Sequence, residues 1–279
     1  MEYNYVINQD IDGTDVTLRK LQLVLLSMLK DIDKICRKHN INYLLFSGSV
    51  LGAVRHHGFI PWDDDLDIAI HRDQYTQLLR ALQEDLPEKY VVQCFDLDER
   101  YLVPFPAMKI RLKNTYVEEE NILLKNKCTD CDGVFIDVFL LNYVSEDKKM
   151  DYHWRIKNTC LATVITTLEN MNQNPISLKK QFLQNAIDYG NQNRNSKLIG
   201  DEITWIYNSP SKPYIYRYDD IFPTKLYQFE DGMFPVPNNP EAFLKAHYGK
   251  HYMEYPPEDK RAPKHMKYVS LLSDHKVQK

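Results

Sequence analysis

A chain of 279 residues, 43% of them hydrophobic, is long enough to bury a large core and is neither disordered nor fibrous. Its net charge of −4 provides no overall basic field, which excludes extensive binding to a nucleic-acid backbone and leaves phosphate binding to local lysines and arginines. Residues 1–14 lack the basic start and apolar core of a signal peptide, no stretch is long and apolar enough to cross a bilayer, and the five cysteines are scattered; together these predict reduced thiols in a cytoplasm. Cys128 and Cys131 form a Cys-x-x-Cys pair, but no second pair completes a tetrahedral zinc site, so no metal or redox role is assigned to them.

From Asp15, a helix N-cap candidate, Leu18, Leu21, Leu25, Met28, Ile32 and Ile35 recur at steps of three and four and predict an amphipathic helix to His39, ended by Asn40. Ile41–Ser47 suits a short buried strand, and Gly48-Ser49 follows where the chain turns into a helix. A strand, Gly-Ser and a helix start make a phosphate cradle, because glycine admits an anion close to the backbone and the first helical N–H groups are unpaired. Gly58 reads as the C-terminal glycine of this helix, so Arg55 and His56 leave its last turn towards the loop of Trp62. Arg55 can clamp a phosphate or neutralise the helix end, and Trp62 can stack on a base or pack under the acidic loop.

In the run Trp62-Asp63-Asp64-Asp65-Leu66-Asp67-Ile68-Ala69-Ile70, strand alternation places Asp65 and Asp67 on one face and Leu66, Ile68 and Ile70 on the other. Two carboxylates side by side on a buried strand repel each other and lose solvation, and a divalent cation is the economical compensation. Oxygen ligands suit Mg²⁺ or Mn²⁺ bridging to substrate phosphates, so the implied chemistry is phosphoryl or nucleotidyl transfer. The order strand, Gly-Ser, helix, Asp-x-Asp strand resembles the nucleotidyltransferase superfamily typified by DNA polymerase beta.

Asp73 can cap a further helix that Pro87 ends, and strands are predicted over 90–95 and 108–112, the second with Lys109, Arg111 and Lys113 on a basic face that such strands usually expose to solvent. In the run 133–140, Asp137 interrupts otherwise apolar or glycine positions, and a lone buried carboxylate needs a partner. Helices are predicted over 152–168 and 178–189, with no catalytic motif between them. Tyr207, Tyr214, Tyr216, Tyr218 and Tyr227 crowd the next segment, either lining an acceptor groove or packing in extended strands. Pro240 starts a short helix that Tyr248-Gly249 ends, and Lys260, Arg261 and His265 follow as a basic tail.

The run 47–70, SGSVLGAVRHHGFIPWDDDLDIAI, is similar to the signature of the LicD family of phosphocholine transferases, to which the fukutin-related proteins are distantly similar; Val50 stands where leucine is common. The resemblance implies an α/β (α+β) fold: one nucleotidyltransferase-like domain with a small mixed sheet flanked by helices, its core at 15–143 and 214–265 and a helical insert at about 151–200. It implies that Asp65, Asp67 and Asp137 are catalytic and hold Mg²⁺ or Mn²⁺. Gly48, Ser49, Arg55, His56, Trp62, Lys109, Arg261 and His265 become substrate-binding candidates. The expected reaction moves phosphocholine, or a related phospho-alcohol, from CDP-choline or another CDP-alcohol to a sugar hydroxyl of a teichoic acid, capsule or lipopolysaccharide precursor, releasing CMP. Asp67, Asp137 and His56 remain open as the proton acceptor. The expected setting is the cytoplasm, at the inner face of the membrane if the glycan acceptor is lipid-linked. A nucleotidyltransferase that moves NMP to a small molecule or protein is the alternative, and a non-catalytic binding protein a third.

Overall fold

The computed structural model describes residues 5–104, 106–120, 125–128, 130–202, 210 and 212–272. A short antiparallel pair, β1 (Val6–Gln9) and β2 (Asp15–Thr17), leads into α1 (Leu18–Lys38). Asp15 belongs to the β1–β2 ladder, so the cap falls two residues later than expected, to Thr17, whose side chain accepts the Lys20 N–H. The stripe from Leu18 to Ile35 is buried as the spacing predicts, each side chain contributing about 2 kcal/mol of transfer free energy, and Asn40 turns the chain at a φ of 51°.

The strand β3 (Tyr43–Leu45) is shorter than expected because α2 (Ser47–His56) starts at once, with Ser47 at a left-handed φ of 48°. Gly48 and Ser49 therefore lie within the first turn of α2. The left-handed cap at its other end is His57, at φ 56°, and not Gly58. Glycine at 58 leaves space for Glu230: a Cβ there would fall 2.4 Å from its Oε1, which accepts the N–H of the next residue, Phe59, and would have to displace that carboxylate.

Next comes β4 (Asp67–His71), which begins two residues after Asp65, so strand alternation does not set the Asp65 side chain. A 3₁₀ turn at Arg72–Gln74 then leads to α3 (Tyr75–Asp85). Asp73 is not its cap: it sits inside the 3₁₀ turn, where its N–H donates to His71 Nδ1. The next strands are β5 (Tyr90–Cys94), β6 (Met108–Leu112), β7 (Tyr116–Glu119) and the long β8 (Phe135–Tyr143). Two helices, α4 (Lys148–Asn170) and α5 (Ile176–Gln192), pack as a hairpin, with Trp154 stacked on Tyr189 at 4.0 Å. The chain returns through β9 (Leu198–Asp201), β10 (Ile215–Arg217), the single turn α6 (Tyr218–Ile221), the hairpin β11 (Lys225–Phe229) and β12 (Gly232–Val236), α7 (Pro240–Tyr248) and β13 (Met266–Ser270). Tyr207 lies outside the described residues.

The fold is α+β, with a mixed sheet at its centre. β8 is the spine of that sheet. One of its edges pairs in parallel with β4, which pairs in turn with β3, and the other edge is shared by β6 and then β9. Apolar residues of α1, α2, α3 and the strands form one continuous core, and a smaller one lies between α4 and α5 around Ala162, Ile165 and Phe182.

Candidate active site

Register, more than sequence proximity, builds the site. Asp67 on β4 and Lys109 on β6 are both in register with Asp137 on β8, so three charged side chains stand in one row across adjacent strands, with Cβ atoms roughly 5 Å apart. Asp65 and Asp63, in the loop before β4, line the same cavity of about 320 Å³. The lone Asp137 does find a partner: its Oδ1 lies 2.9 Å from Lys109 Nζ, which also bonds Glu119 at 3.3 Å. Lys109 and Arg111 are buried, contrary to a solvated basic face, because Glu119 from β7 pairs with both.

The cavity is overloaded with negative charge. Asp63 and Asp67 are pushed well above the ordinary carboxylate range by burial and then by the charge of Asp65, and burial lifts Asp137 to about 6 although Lys109 pulls it down. Among the described residues no three His, Cys, Asp or Glu side chains are already arranged to hold a metal ion. The donor set nevertheless fits a hard divalent cation: Asp63, Asp65, Asp67 and Asp137 bring oxygen ligands and a surplus of charge that one lysine does not neutralise.

The first turn of α2 forms the next wall. Gly48 brings the backbone close to the acids, since a Cβ there would lie 2.9 Å from Asp63 Oδ2. Ser49 is turned away from the cavity: its hydroxyl accepts the Asp67 N–H at 3.0 Å and fastens α2 to β4. The hydroxyl that does line the cavity belongs to Ser47, within 3.3 Å of His247 Nε2 and 3.1 Å of the Tyr248 hydroxyl. Asp64 faces the other way and is structural, accepting the N–H groups of His265 and Met266 and so fixing the start of β13. His265 is thereby held with Nε2 3.5 Å from Asp65.

A second groove, of about 530 Å³, shares Gly48, Asp63, Tyr248 and His265 with the first and extends to Arg55, Trp62, Tyr255 and Lys264. The Arg55 guanidinium lies over the Tyr255 ring at 4.9 Å, and that of Arg261 over Trp62 at 5.5 Å. His56 is not part of either lining; it packs edge-on against Trp62 and Tyr255, its Nε2 accepts the Arg55 Nε–H at 3.0 Å, and burial beside Arg55 pushes it down to about 4.

Residues 40–155 match the family model described as LicD/FKTN/FKRP, nucleotidyltransferase domain. Over 280 aligned residues, 92% of this chain and 99% of the other, the sequence is 28% identical to the lipopolysaccharide cholinephosphotransferase LicD of Haemophilus influenzae. Over residues 40–155 this chain is similar to the LicD family. Shorter matches join it to uncharacterized proteins of Rickettsia typhi (44% identical over 87 residues, 30% of this chain and 28% of that one) and Rickettsia prowazekii (47% over 70 residues, 25% and 24%).

Of the residues singled out in the sequence, Gly48, Asp65, Asp67, Lys109, Asp137 and His265 converge on the first cavity, and Arg55 and Trp62 on the second. Arg261 joins the second through its stacking on Trp62 and Tyr255, while Ser49 and His56 stand behind the walls. Sequence reasoning missed Asp63, Glu119, Asp201 and His247 in the first lining, and singled out Tyr214 only within a run of tyrosines that could line an acceptor groove. Asp63 and Glu119 sit in acidic runs where nothing ranks one carboxylate over its neighbours. Asp201, Tyr214 and His247 reach the cavity only through sheet pairing and helix packing.

Proposed function

We propose that the chain transfers phosphocholine from CDP-choline to a sugar hydroxyl of a lipopolysaccharide precursor, releasing CMP. The observation that carries this reading is the carboxylate cavity, which lies within a match spanning nearly the whole length of a relative named for phosphocholine transfer to lipopolysaccharide. A Mg²⁺ or Mn²⁺ held by Asp65, Asp67 and Asp137 supplies neutralisation of the donor diphosphate and of the departing CMP oxygen.

The chain's own groups do the rest. Lys109 is ion-paired with both Asp137 and Glu119 at the cavity wall. His265 and the first turn of α2 border both cavities, so a diphosphate lies across them with its nucleotide end among Arg55, Trp62, Lys264 and Arg261. The acceptor oxygen forms a bond to the choline-bearing phosphorus, the bond to the bridging oxygen breaks, and CMP leaves with that electron pair. The hydroxyl proton passes to a carboxylate of the Asp67–Asp137 row; His56 is not the acceptor, because its Nε2 is engaged by Arg55 outside the cavity lining. No described helix is long and apolar enough to cross a membrane.

The family description also names a nucleotidyltransferase domain, which supports movement of NMP as the second reading. Both readings are tested by mass spectrometry of purified protein with CDP-choline, CDP-glycerol, CDP-ribitol, CTP or ATP, with and without Mg²⁺ or Mn²⁺. The acceptors are lipopolysaccharide, capsule and teichoic-acid precursors, and the control is an Asp65→Ala, Asp67→Ala variant. The expected result is divalent-dependent CMP release and an acceptor heavier by phosphocholine, both lost in the control. Pyrophosphate release from CTP or ATP would replace this reading with nucleotidyl transfer.

A further inference from the structure

The first cavity has two chemically different ends. At one stand the Asp67–Asp137 row and Lys109, whose ammonium lies 3.4 Å from the Phe135 ring centroid and so occupies that ring. The other end follows from the geometry of β8. Strand alternation puts Asp137, Phe139 and Leu141 on one face, and Leu141 is in register with Asp201 of β9, so Asp201 shares that face about 13 Å further along the strand. Phe139 lies between them, with Phe46 against it at 5.3 Å. Tyr214, just before β10, and His247, in the last turn of α7, stack on each other at 3.9 Å, and His247 meets Phe46 edge-on. All five residues line the cavity.

Asp201 is 94% buried, and among the described residues its Oδ1 has no hydrogen-bond partner. The Arg155 guanidinium faces it from α4 but is ion-paired with Asp151 at 2.7 Å, so the carboxylate still attracts a cation from the cavity. His247 offers a ring without a competing charge: Nδ1 is bonded to the Tyr216 hydroxyl at 2.8 Å, Nε2 faces Ser47, and burial pushes its protonation down to about 4. Aromatic faces beside a desolvated carboxylate, with few groups for the ligand to hydrogen-bond, suit a cation that carries no N–H donors.

We propose that Asp201, Tyr214, His247, Phe46 and Phe139 form the subsite for the quaternary ammonium of the donor's choline headgroup, an inference that rests on the phosphocholine reading above. The phosphate then lies at the Asp67–Asp137 row and the headgroup extends along β8 to Asp201. The groove of Trp62 and Tyr255 is excluded from this role because the guanidiniums of Arg55 and Arg261 already occupy its rings and repel a third cation.

The test is calorimetric titration of CDP-choline, CDP-ethanolamine, CDP-glycerol, CTP and ATP into the full chain with Mg²⁺, for the wild type, Asp201→Asn and Tyr214→Leu. Melting temperatures of all three proteins report folding. The wild type is expected to bind CDP-choline about tenfold or more tighter than CDP-glycerol, with CDP-ethanolamine between, and the ratio is expected to fall towards one in both variants. A ratio kept in both folded variants, or a wild type without any preference among the CDP-alcohols, overturns the subsite while leaving transfer from a CDP-alcohol standing. A wild type that binds CTP or ATP and none of the CDP-alcohols overturns the transfer reading, and the subsite with it. If one variant does not fold, the other decides.

Discussion

Charged side chains are buried in two regions of this molecule, and they are treated in opposite ways. Between α4, α5 and the loop after β5, Glu169 pairs with Lys179, whose Nζ also donates to the carbonyls of Glu99 and Tyr101 at 3.0 Å, and Asp151 pairs with Arg155 at 2.7 Å while accepting the Tyr189 hydroxyl. In the cavity along β8, Asp63, Asp65, Asp67, Asp137 and Asp201 line one space with Lys109 as the cation built into its wall. Matched pairs hold a helical hairpin in place. Surplus carboxylates cost stability on their own and are retained where a ligand completes the charge balance.

Removing one member from each region should separate these roles. Asp67→Asn takes a donor from the proposed cation site, and transfer is expected to fall about a thousandfold, which corresponds to about 4 kcal/mol of barrier. Its melting temperature without divalent ions is expected to hold or rise, because repulsion from Asp65 and Asp137 is relieved. Glu169→Ala does the reverse: it leaves Lys179 buried beside carbonyls without its carboxylate, and thermal and urea unfolding should show a loss of about 3 to 4 kcal/mol. Near-normal turnover is expected in the fraction that stays folded. If Asp67→Asn destabilises the fold, the contrast fails at its first step.

Proton linkage sharpens the same comparison. Asp137 titrates at about 6 in the folded chain against 3.8 for the free group, so the folded state holds its proton more tightly. Stability from this group is therefore full below about 3.8 and is lost as pH rises through about 6, an interval worth about 3 kcal/mol. With a chelator present, the melting temperature should be higher at pH 5.5 than at pH 8, and Mg²⁺ or Mn²⁺ should restore part of the loss at pH 8. A melting temperature that does not respond to divalent ions at pH 8 would count against the cavity as a cation site. Asp201, which burial raises to about 7, gives a smaller effect on binding. Arg155 faces it from α4, Tyr214 from just before β10 and Tyr216 from β10, and burial raises both phenols away from neutrality, so CDP-choline affinity should improve as pH rises through 7.

How legible was this in the chain? The α+β class and the Gly-Ser and acidic-loop signature were readable because short-range patterns specify them: heptad-like spacing in α1 and an apolar strand carrying the acids. Lys109 was readable as a candidate but not as buried, since its burial depends on Glu119, brought over by β7. The caps of α1 and α3 shifted because competing local partners, the β1–β2 ladder and the His71 side chain, took Asp15 and Asp73. Asp201, Tyr214 and His247 were illegible as a group because they meet through β9 pairing with β8 and the packing of α7, contacts between segments far apart in the chain. His56 looked catalytic from its neighbours in sequence, yet the end of α2 turns it towards Trp62 and Tyr255.

The smallest expected effect falls where backbone meets the acids. A Cβ on Gly48 would reach to 2.9 Å from Asp63 Oδ2, a close contact with the far end of a side chain that can give way by a few tenths of an ångström. Gly48→Ala should therefore cost at most about 1 kcal/mol in stability, partly offset by the better helix propensity of alanine in α2. Its effect on transfer should be larger than on folding, about tenfold in kcat/KM, because Asp63 is displaced and a methyl group enters the wall shared by both cavities. Gly52→Ala, one turn further on, meets the Gly58 carbonyl at 2.5 Å, a backbone atom that cannot swing aside, and should lose stability first. If Gly48→Ala instead melts early with normal turnover, glycine is kept at this position to pack α2, and the approach of substrate phosphate to its first turn has to be given up.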